Sequence, residues 1–261
     1  MIPEIFVEQW RSHCEWQQLG MIEQDLIISR ALICLYNHAL LKNSLVFRGG
    51  TALNKLFIHP PARYSEDIDF VQIKSEPIGS TIDAIRDVLQ SWLGEPKRKL
   101  TERSAKLIYS YQTVDGLPAK LKIEINTTEH FHVLPIKMEP FSVQSEWFTG
   151  SSLVATYQLE ELMATKLRAL YQRRKGRDLF DLWYVCQQNS INIDLMLSIF
   201  QHYCQNEKTV ITKELFLSNI ALKQLNNDFT TDMNVLLPRH ITWNFDEAFN
   251  FVQDHIIKQL P

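Results

Sequence analysis

Asp67 and Asp69 stand two residues apart in the run Asp67-Ile68-Asp69-Phe70. Alternate residues of a strand point to one side, ~6.5–7 Å apart along it, so both carboxylates share a face while Ile68 and Phe70 turn into a core. Two carboxylates held that close repel each other unless a cation sits between them. Oxygen-only ligands on a strand suit Mg²⁺ or Mn²⁺, and Mg²⁺ takes the rest of its shell from water and phosphates. Upstream, Gly49 and Gly50 allow close backbone approach, and the helix expected after them offers its first N–H groups to an anion. Thr51, Lys55 and Ser65 flank that cradle as candidate nucleotide contacts, with Arg48 beside them; a helix cap for Thr51, a strand-initiating role for Ser65 and an ordinary solvated charge for Lys55 or Arg48 are the bland alternatives. Glu124 lies mid-strand on the polar face of a later segment. There it is either a third metal carboxylate and base or a cross-strand partner of Lys122 or Lys106. A phosphate cradle beside paired carboxylates is the minimal apparatus of phosphoryl or nucleotidyl transfer.

A second set lies further along. On the helix expected from Leu159 to Tyr171, Lys166 falls inside the apolar stripe of Leu159, Leu162, Met163, Leu167 and Leu170. Burying an ammonium without a partner is costly, so it must reach a carboxylate or a phosphate, or snorkel at the stripe's edge. Asp178 and Asp181, three apart on the next helix, share a face. Either one helps position nucleotide or lysine, or Asp178 merely caps the helix. Arg173, Arg174, Lys175 and Arg177 form the densest basic cluster, and Lys97, Arg98, Lys99 and Arg103 the second. Each is a candidate for RNA phosphates or an ordinary solvated surface.

The elements that must position these residues follow from periodicity and punctuation. Residues Ile22 to Leu41 read as a helix, Ser44 to Phe47 as a strand, and Thr51 to Ile58 as a short helix stopped by His59-Pro60-Pro61. Ile68 to Ile73 is the carboxylate-bearing strand, and Ser80 to Leu93 is helical. Leu107 to Val114 and Ala119 to Asn126 form a hairpin around Asp115-Gly116. From Leu159 onward the chain turns helical. Sheet first and helices later is an α+β order. The expected organisation is an N-terminal helical segment over 1–43, a small mixed-sheet core over 44–150, and a C-terminal helical domain over 151–261.

At 261 residues the chain can bury a substantial core, and its net charge of −3 leaves nucleic-acid contacts to local basic patches. Its four cysteines (Cys14, Cys34, Cys186, Cys204) form no CxxC or Cys/His cluster, which argues for a reducing compartment and against structural zinc. His130 and His132 lack further ligands nearby. No apolar run approaches a membrane span, and the first residues do not read as a secretory signal, so a cytoplasmic location is expected.

The wording GGTALNK followed by RYSEDID resembles the AbiEii branch of the polymerase β-like nucleotidyltransferases, bacterial toxins of type IV toxin–antitoxin systems with the MenT toxins as relatives. Within that family the Gly-Gly-Thr and Ser-x-Asp-x-Asp segments frame nucleotide and metal, which implies those roles for Gly49, Gly50, Thr51, Ser65, Asp67 and Asp69. The Lys-x-Arg-Asp-x-x-Asp signature is matched by Lys175, Arg177, Asp178 and Asp181. The resemblance covers roughly Leu45 to Cys186. It implies a third acid at Glu124, an essential lysine at Lys166, NTP as substrate and a tRNA 3′ end as acceptor. Arrest of translation and a cognate antitoxin would follow. Sixteen residues separate Gly50 from Asp67, longer than the general superfamily pattern and within what the AbiEii branch tolerates. Two rivals remain: nucleotidylation of a protein side chain, and an NTP-binding module without turnover.

Overall fold

The longest apolar run forms helix α2 (Leu19–Tyr36), which is buried on most sides. A helix that is apolar nearly all round must be covered, and here sheet and neighbouring helices cover it. A computed structural model describes residues 2–14 and 16–261. Its chain divides into two compact units, Met1–Tyr157 and Gln158–Pro261.

The first unit begins with α1 (Glu4–Trp10), α2 and a short α3 (Ala39–Lys42). The sequence suggested one helix through Leu41. Extended backbone at His38 breaks it after Tyr36 instead. Then come β1 (Leu45–Arg48), α4 (Gly49–Leu56), β2 (Asp67–Gln72), α5 (Gly79–Leu93), β3 (Lys97–Leu100), β4 (Ser104–Gln112), β5 (Pro118–Asn126), β6 (Lys137–Gln144) and β7 (Thr149–Thr156). Among the described residues these strands make one seven-stranded sheet in the order β3-β4-β5-β2-β1-β7-β6. β2 runs parallel to β5 and antiparallel to β1. The sheet is thus mixed, as expected.

Alternation along β2, β4 and β5 sends Ile68, Phe70, Leu107, Tyr109, Leu121, Ile123 and Ile125 to one buried face. The face expected to bear the carboxylates is the opposite one. Helix α2 also ties strands together through a buried amide: Gln24 Nε2 donates to the carbonyls of Glu66 (2.9 Å) and Lys120 (3.1 Å).

Two boundaries differ from the sequence reading. Residues 1–43 belong to the sheet unit, since the Trp10 and Trp16 indoles both donate to Asp25 of α2 (2.9 and 3.2 Å). Position 150 falls inside β7, whose end is stitched to β1 where Thr156 Oγ1 donates to the Phe47 carbonyl at 2.7 Å.

The second unit is helical: α6 (Leu159–Gln172), α7 (Gly176–Gln188), α8 (Ile193–Asn206), α9 (Lys213–Gln224), α10 (Asn227–Thr231) and α11 (Phe245–His255). Asn192, Thr212, Asn226 and Asn244 cap the last four of these, each side chain accepting a first-turn N–H. Leu162, Leu167, Leu179, Phe200, Phe216 and Phe229 lie in its core. The four cysteines are free thiols. Among the described residues no helix is long and apolar enough to cross a membrane.

Candidate active site

Gly49 opens α4 with φ +84°, a conformation that L side chains rarely adopt, and a Cβ there would lie 2.6 Å from Asp69 Oδ2. Glycine is therefore needed for both backbone and space. At Gly50 a Cβ would collide with Arg63 Nη2, so the second glycine makes room for a guanidinium. Arg63 is 1% exposed and donates through Nη1 to the Tyr64 carbonyl at 3.0 Å. Asn54 fastens the loop to the helix: its Nδ2 donates to Gly50 O, and its Oδ1 accepts from the Ala62 and Arg63 amides. Arg63 and Asn54 were not singled out from sequence. Their signal lay in polar residues enclosed by apolar ones, a pattern that does not say what they hold. No side chain caps α4 among the described residues, so its first N–H groups are left without a side-chain acceptor.

Thr51 is buried. Its Oγ1 lies 2.8 Å from Ser65 Oγ and donates to the Asp67 carbonyl. Its hydroxyl therefore locks β2 to α4 and neither caps the helix nor points outward, as either sequence reading required. Ser65 is half-buried beside it. Lys55 departs further from expectation. Its ammonium lies 2.6 Å from Asp25 Oδ2 and 2.8 Å from Ser29 Oγ, held by α2 in a buried pair rather than in the cradle.

The carboxylates come together through strand register. Arg48, Asp69, Glu124, Lys106 and Lys99 stand directly opposite one another across β1, β2, β5, β4 and β3. Directly opposed residues share a face, so Asp69 and Glu124 lie side by side with Asp67 two residues away on β2. Lys122 Nζ reaches Asp67 Oδ2 at 2.6 Å, and Lys106 Nζ reaches Glu124 Oε1 at 2.9 Å. Glu124 is thus the cross-strand partner of Lys106 and stands beside Asp69 in the register. Burial pushes the Asp69 carboxyl above its ordinary range; the Arg48 guanidinium pulls it back, while Asp67 and Glu124 push it further up. Arg48 is itself held by Glu129 at 2.7 Å.

Among the described residues no three His, Cys, Asp or Glu side chains close to metal-ligand spacing. The donor set is nonetheless that of a hard cation: adjacent carboxylates, no sulfur or imidazole among them, and two ammoniums already drawn in to balance their charge. His130 and His132 are engaged elsewhere, through Nδ1 with the carbonyls of Gln72 (3.0 Å) and Leu134 (2.7 Å).

The family described as nucleotidyl transferase AbiEii toxin of type IV toxin–antitoxin systems matches residues 30–251. The chain belongs to the AbiEii family. In fold it is similar to MenT4, a nucleotidyltransferase toxin from Mycobacterium tuberculosis, at 17% identity and a TM-score of 0.69 over 100% of this chain and 91% of that one. It is also similar to JHP933 from Helicobacter pylori, at 18% identity and a TM-score of 0.54 over 92% and 93% of the two chains. No curated protein matches it by sequence.

The helical unit of this AbiEii-family chain holds the second set of residues in a closed cluster. Lys166, 6% exposed, lies 2.7 Å from Asp181 Oδ2 and 3.3 Å from Asp178 Oδ1. Arg173 grips Asp178 with two bonds, Nε to Oδ2 at 2.7 Å and Nη2 to Oδ1 at 2.8 Å. Lys166 is buried as its helical phase required, and its partners are carboxylates. The residue before α7 is Lys175 and no side chain caps that helix, so capping is not what Asp178 does.

The basic cluster is correspondingly less free than its sequence suggests. Arg173 is committed to Asp178. Arg177 binds Asp232 through Nε (3.1 Å) and Nη2 (3.2 Å), and Lys175 lies 4.0 Å from the same carboxylate. Arg174, also exposed, makes no such ion pair among the described residues. Three of the four expected RNA contacts are therefore charge-balanced inside their own unit.

Proposed function

We propose that this AbiEii-family protein transfers a nucleoside monophosphate from an NTP to an acceptor hydroxyl, the 3′ end of a tRNA. In this reading it acts as a toxin that arrests translation and is paired with a cognate antitoxin. The observation that carries the proposal is the register of Asp69 against Glu124, with Asp67 beside them, next to the uncapped start of α4.

Asp67, Asp69 and Glu124 would hold Mg²⁺ or Mn²⁺. Such a cation, when bound, neutralises triphosphate charge and makes the acceptor hydroxyl easier to deprotonate. The rest of the chemistry falls to the chain's own groups. The first N–H groups of α4 and the Ser65 hydroxyl orient the phosphates of the NTP. Arg63, behind Gly50, keeps the turn open by filling the space that a side chain would take. The acceptor oxygen attacks the α-phosphorus as the bond to the β-phosphate breaks. Pyrophosphate leaves, and the hydroxyl proton passes to a Glu124 carboxylate oxygen.

The test is incubation of the protein with each α-labelled NTP and total bacterial RNA or lysate, with and without EDTA. Label in tRNA that disappears with EDTA supports the proposal. Label that enters protein alone supports the side-chain rival. Binding of NTP with no label in either supports a module without turnover.

A further inference from the structure

We infer that the acceptor's phosphates lie along a lysine track on the carboxylate face of the sheet, running from Lys122 on β5 over Lys106 on β4 to Lys99 and Lys97 on the β3 edge. The inference rests on the reading of RNA as acceptor and says where that RNA lies. The register places the track. Asp69 opposes Glu124, Glu124 opposes Lys106, and Lys106 opposes Lys99; one row along, Asp67 opposes Lys122, Lys122 opposes Ile108, and Ile108 opposes Lys97. Opposed residues share a face, so these four lysines and the carboxylates lie on the same side. Lys120, exposed and two residues before Lys122, adds a fifth ammonium there. The acids that the strands β2 to β5 place on this face are Asp67, Asp69 and Glu124.

Three features suit this surface to a polyanion. Lys97 and Lys99 are exposed on an edge strand and have no ion pair among the described residues. Lys99 stands directly opposite Lys106, and like charges so placed are destabilising unless something negative lies across them. Lys106 and Lys122 are at present balanced by Glu124 and Asp67. A divalent cation taking over those carboxylates would leave both ammoniums facing outward. Lys106 and Lys122 would then be free to meet acceptor phosphates.

Three strand spacings separate β2 from β3, about 14 Å. That distance carries the track beyond a single nucleotide held at the carboxylates and suits a strand of several phosphates. In the Arg173–Arg177 cluster, by contrast, Arg173, Lys175 and Arg177 already face the carboxylates of Asp178 and Asp232.

The experiment measures binding of unfractionated bacterial tRNA to the full chain across a salt series, comparing wild type with the Lys97→Ala/Lys99→Ala variant. Both side chains are exposed and unpaired, so folding should be unaffected, which a thermal melt checks. Losing two phosphate contacts should flatten the slope of log affinity against log salt by about 1.4–1.8. With the ionic contribution vanishing near 1 M salt, it should weaken affinity by roughly 25- to 60-fold near 0.1 M. The KM for tRNA should rise far more than kcat falls, and the melting shift caused by Mg²⁺ with NTP should persist. If wild type labels tRNA and the double variant keeps its affinity and slope, the track is overturned while the acceptor reading stands. If wild type labels protein and never RNA, both fall together.

Discussion

The chain builds two clusters from the same ingredients, lysine and aspartate or glutamate, and gives them opposite surroundings. In the sheet unit, Lys122 with Asp67 and Lys106 with Glu124 are each about a third exposed, with side-chain accessibilities of 33%, 32%, 29% and 28%. In the helical unit, Lys166, Asp178 and Asp181 are at 7%, 0% and 1%. Partly exposed pairs of this kind are worth little, so their partners can be exchanged. A buried cluster is different: it need not add net stability, but removing one member strands a charge in a low dielectric. Identical residue types are thus partly exposed in one place and enclosed in the other.

Neutralising one member of each cluster should separate the two by what is lost. Asp67→Asn should lower transfer by roughly a thousandfold. It should leave the unfolding transition of the metal-free protein unchanged or slightly higher, because it relieves carboxylate crowding. Transfer within a few-fold of wild type would dissolve the comparison. Lys166→Met should behave the other way, losing about 3–5 kcal/mol in denaturant unfolding because Asp178 and Asp181 lose their shared cation. Lys166→Arg, which keeps the charge, should lose less. Wild-type stability in Lys166→Met would mean that the cluster is looser than its distances imply.

Gly49→Ala sharpens the first half of the comparison. A side chain there meets a left-handed backbone and the Asp69 carboxylate at once, so about 1–3 kcal/mol of stability should be lost. Mn²⁺ affinity should fall with it, because Asp69 must move.

The smallest effect concerns Lys223, which donates from Nζ to the carbonyls of Leu170 and Tyr171 at the end of α6. Burial brings its pKa down to about 8 from 10.5; Asp178 opposes the shift and Arg174 assists it. Between those two values the unfolded chain holds a proton that the folded one has released. Stability from this group should therefore be lowest below pH 8 and rise toward pH 10.5. Lys223→Met should remove that rise from a pH series of unfolding curves.

The core of the site was legible because it is written in local rules. Period-two spacing put Asp67 and Asp69 on one face, and the glycine pair marked a sharp strand-to-helix turn. Helical phase buried Lys166 correctly. Less legible was everything set by contacts distant in sequence. Lys55 carries the same charge whether it faces a phosphate or Asp25, and only the packing of α4 on α2 decides between them. Arg63 and Glu129 give no periodic signal, because each is buried from a loop. Strands β3, β6 and β7 were missed for a related reason. β3 is wholly exposed, and the edge strand β6 carries Pro140, so neither shows the apolar alternation of a central strand. The ion pairing of Arg177 in the basic cluster was not legible because its partner Asp232 lies 55 residues away in the chain.

The central claim is that the sheet carboxylates exchange their lysines for a divalent cation. It is tested most directly by titrating Mn²⁺ into the NTP-free protein and following free Mn²⁺ by electron paramagnetic resonance. Wild type should bind, Asp67→Asn should lose that binding, and Lys122→Met, freed of the competing ammonium, should bind at least as tightly as wild type. Binding that survives intact in Asp67→Asn, or that vanishes in Lys122→Met while the protein remains folded, would contradict the account.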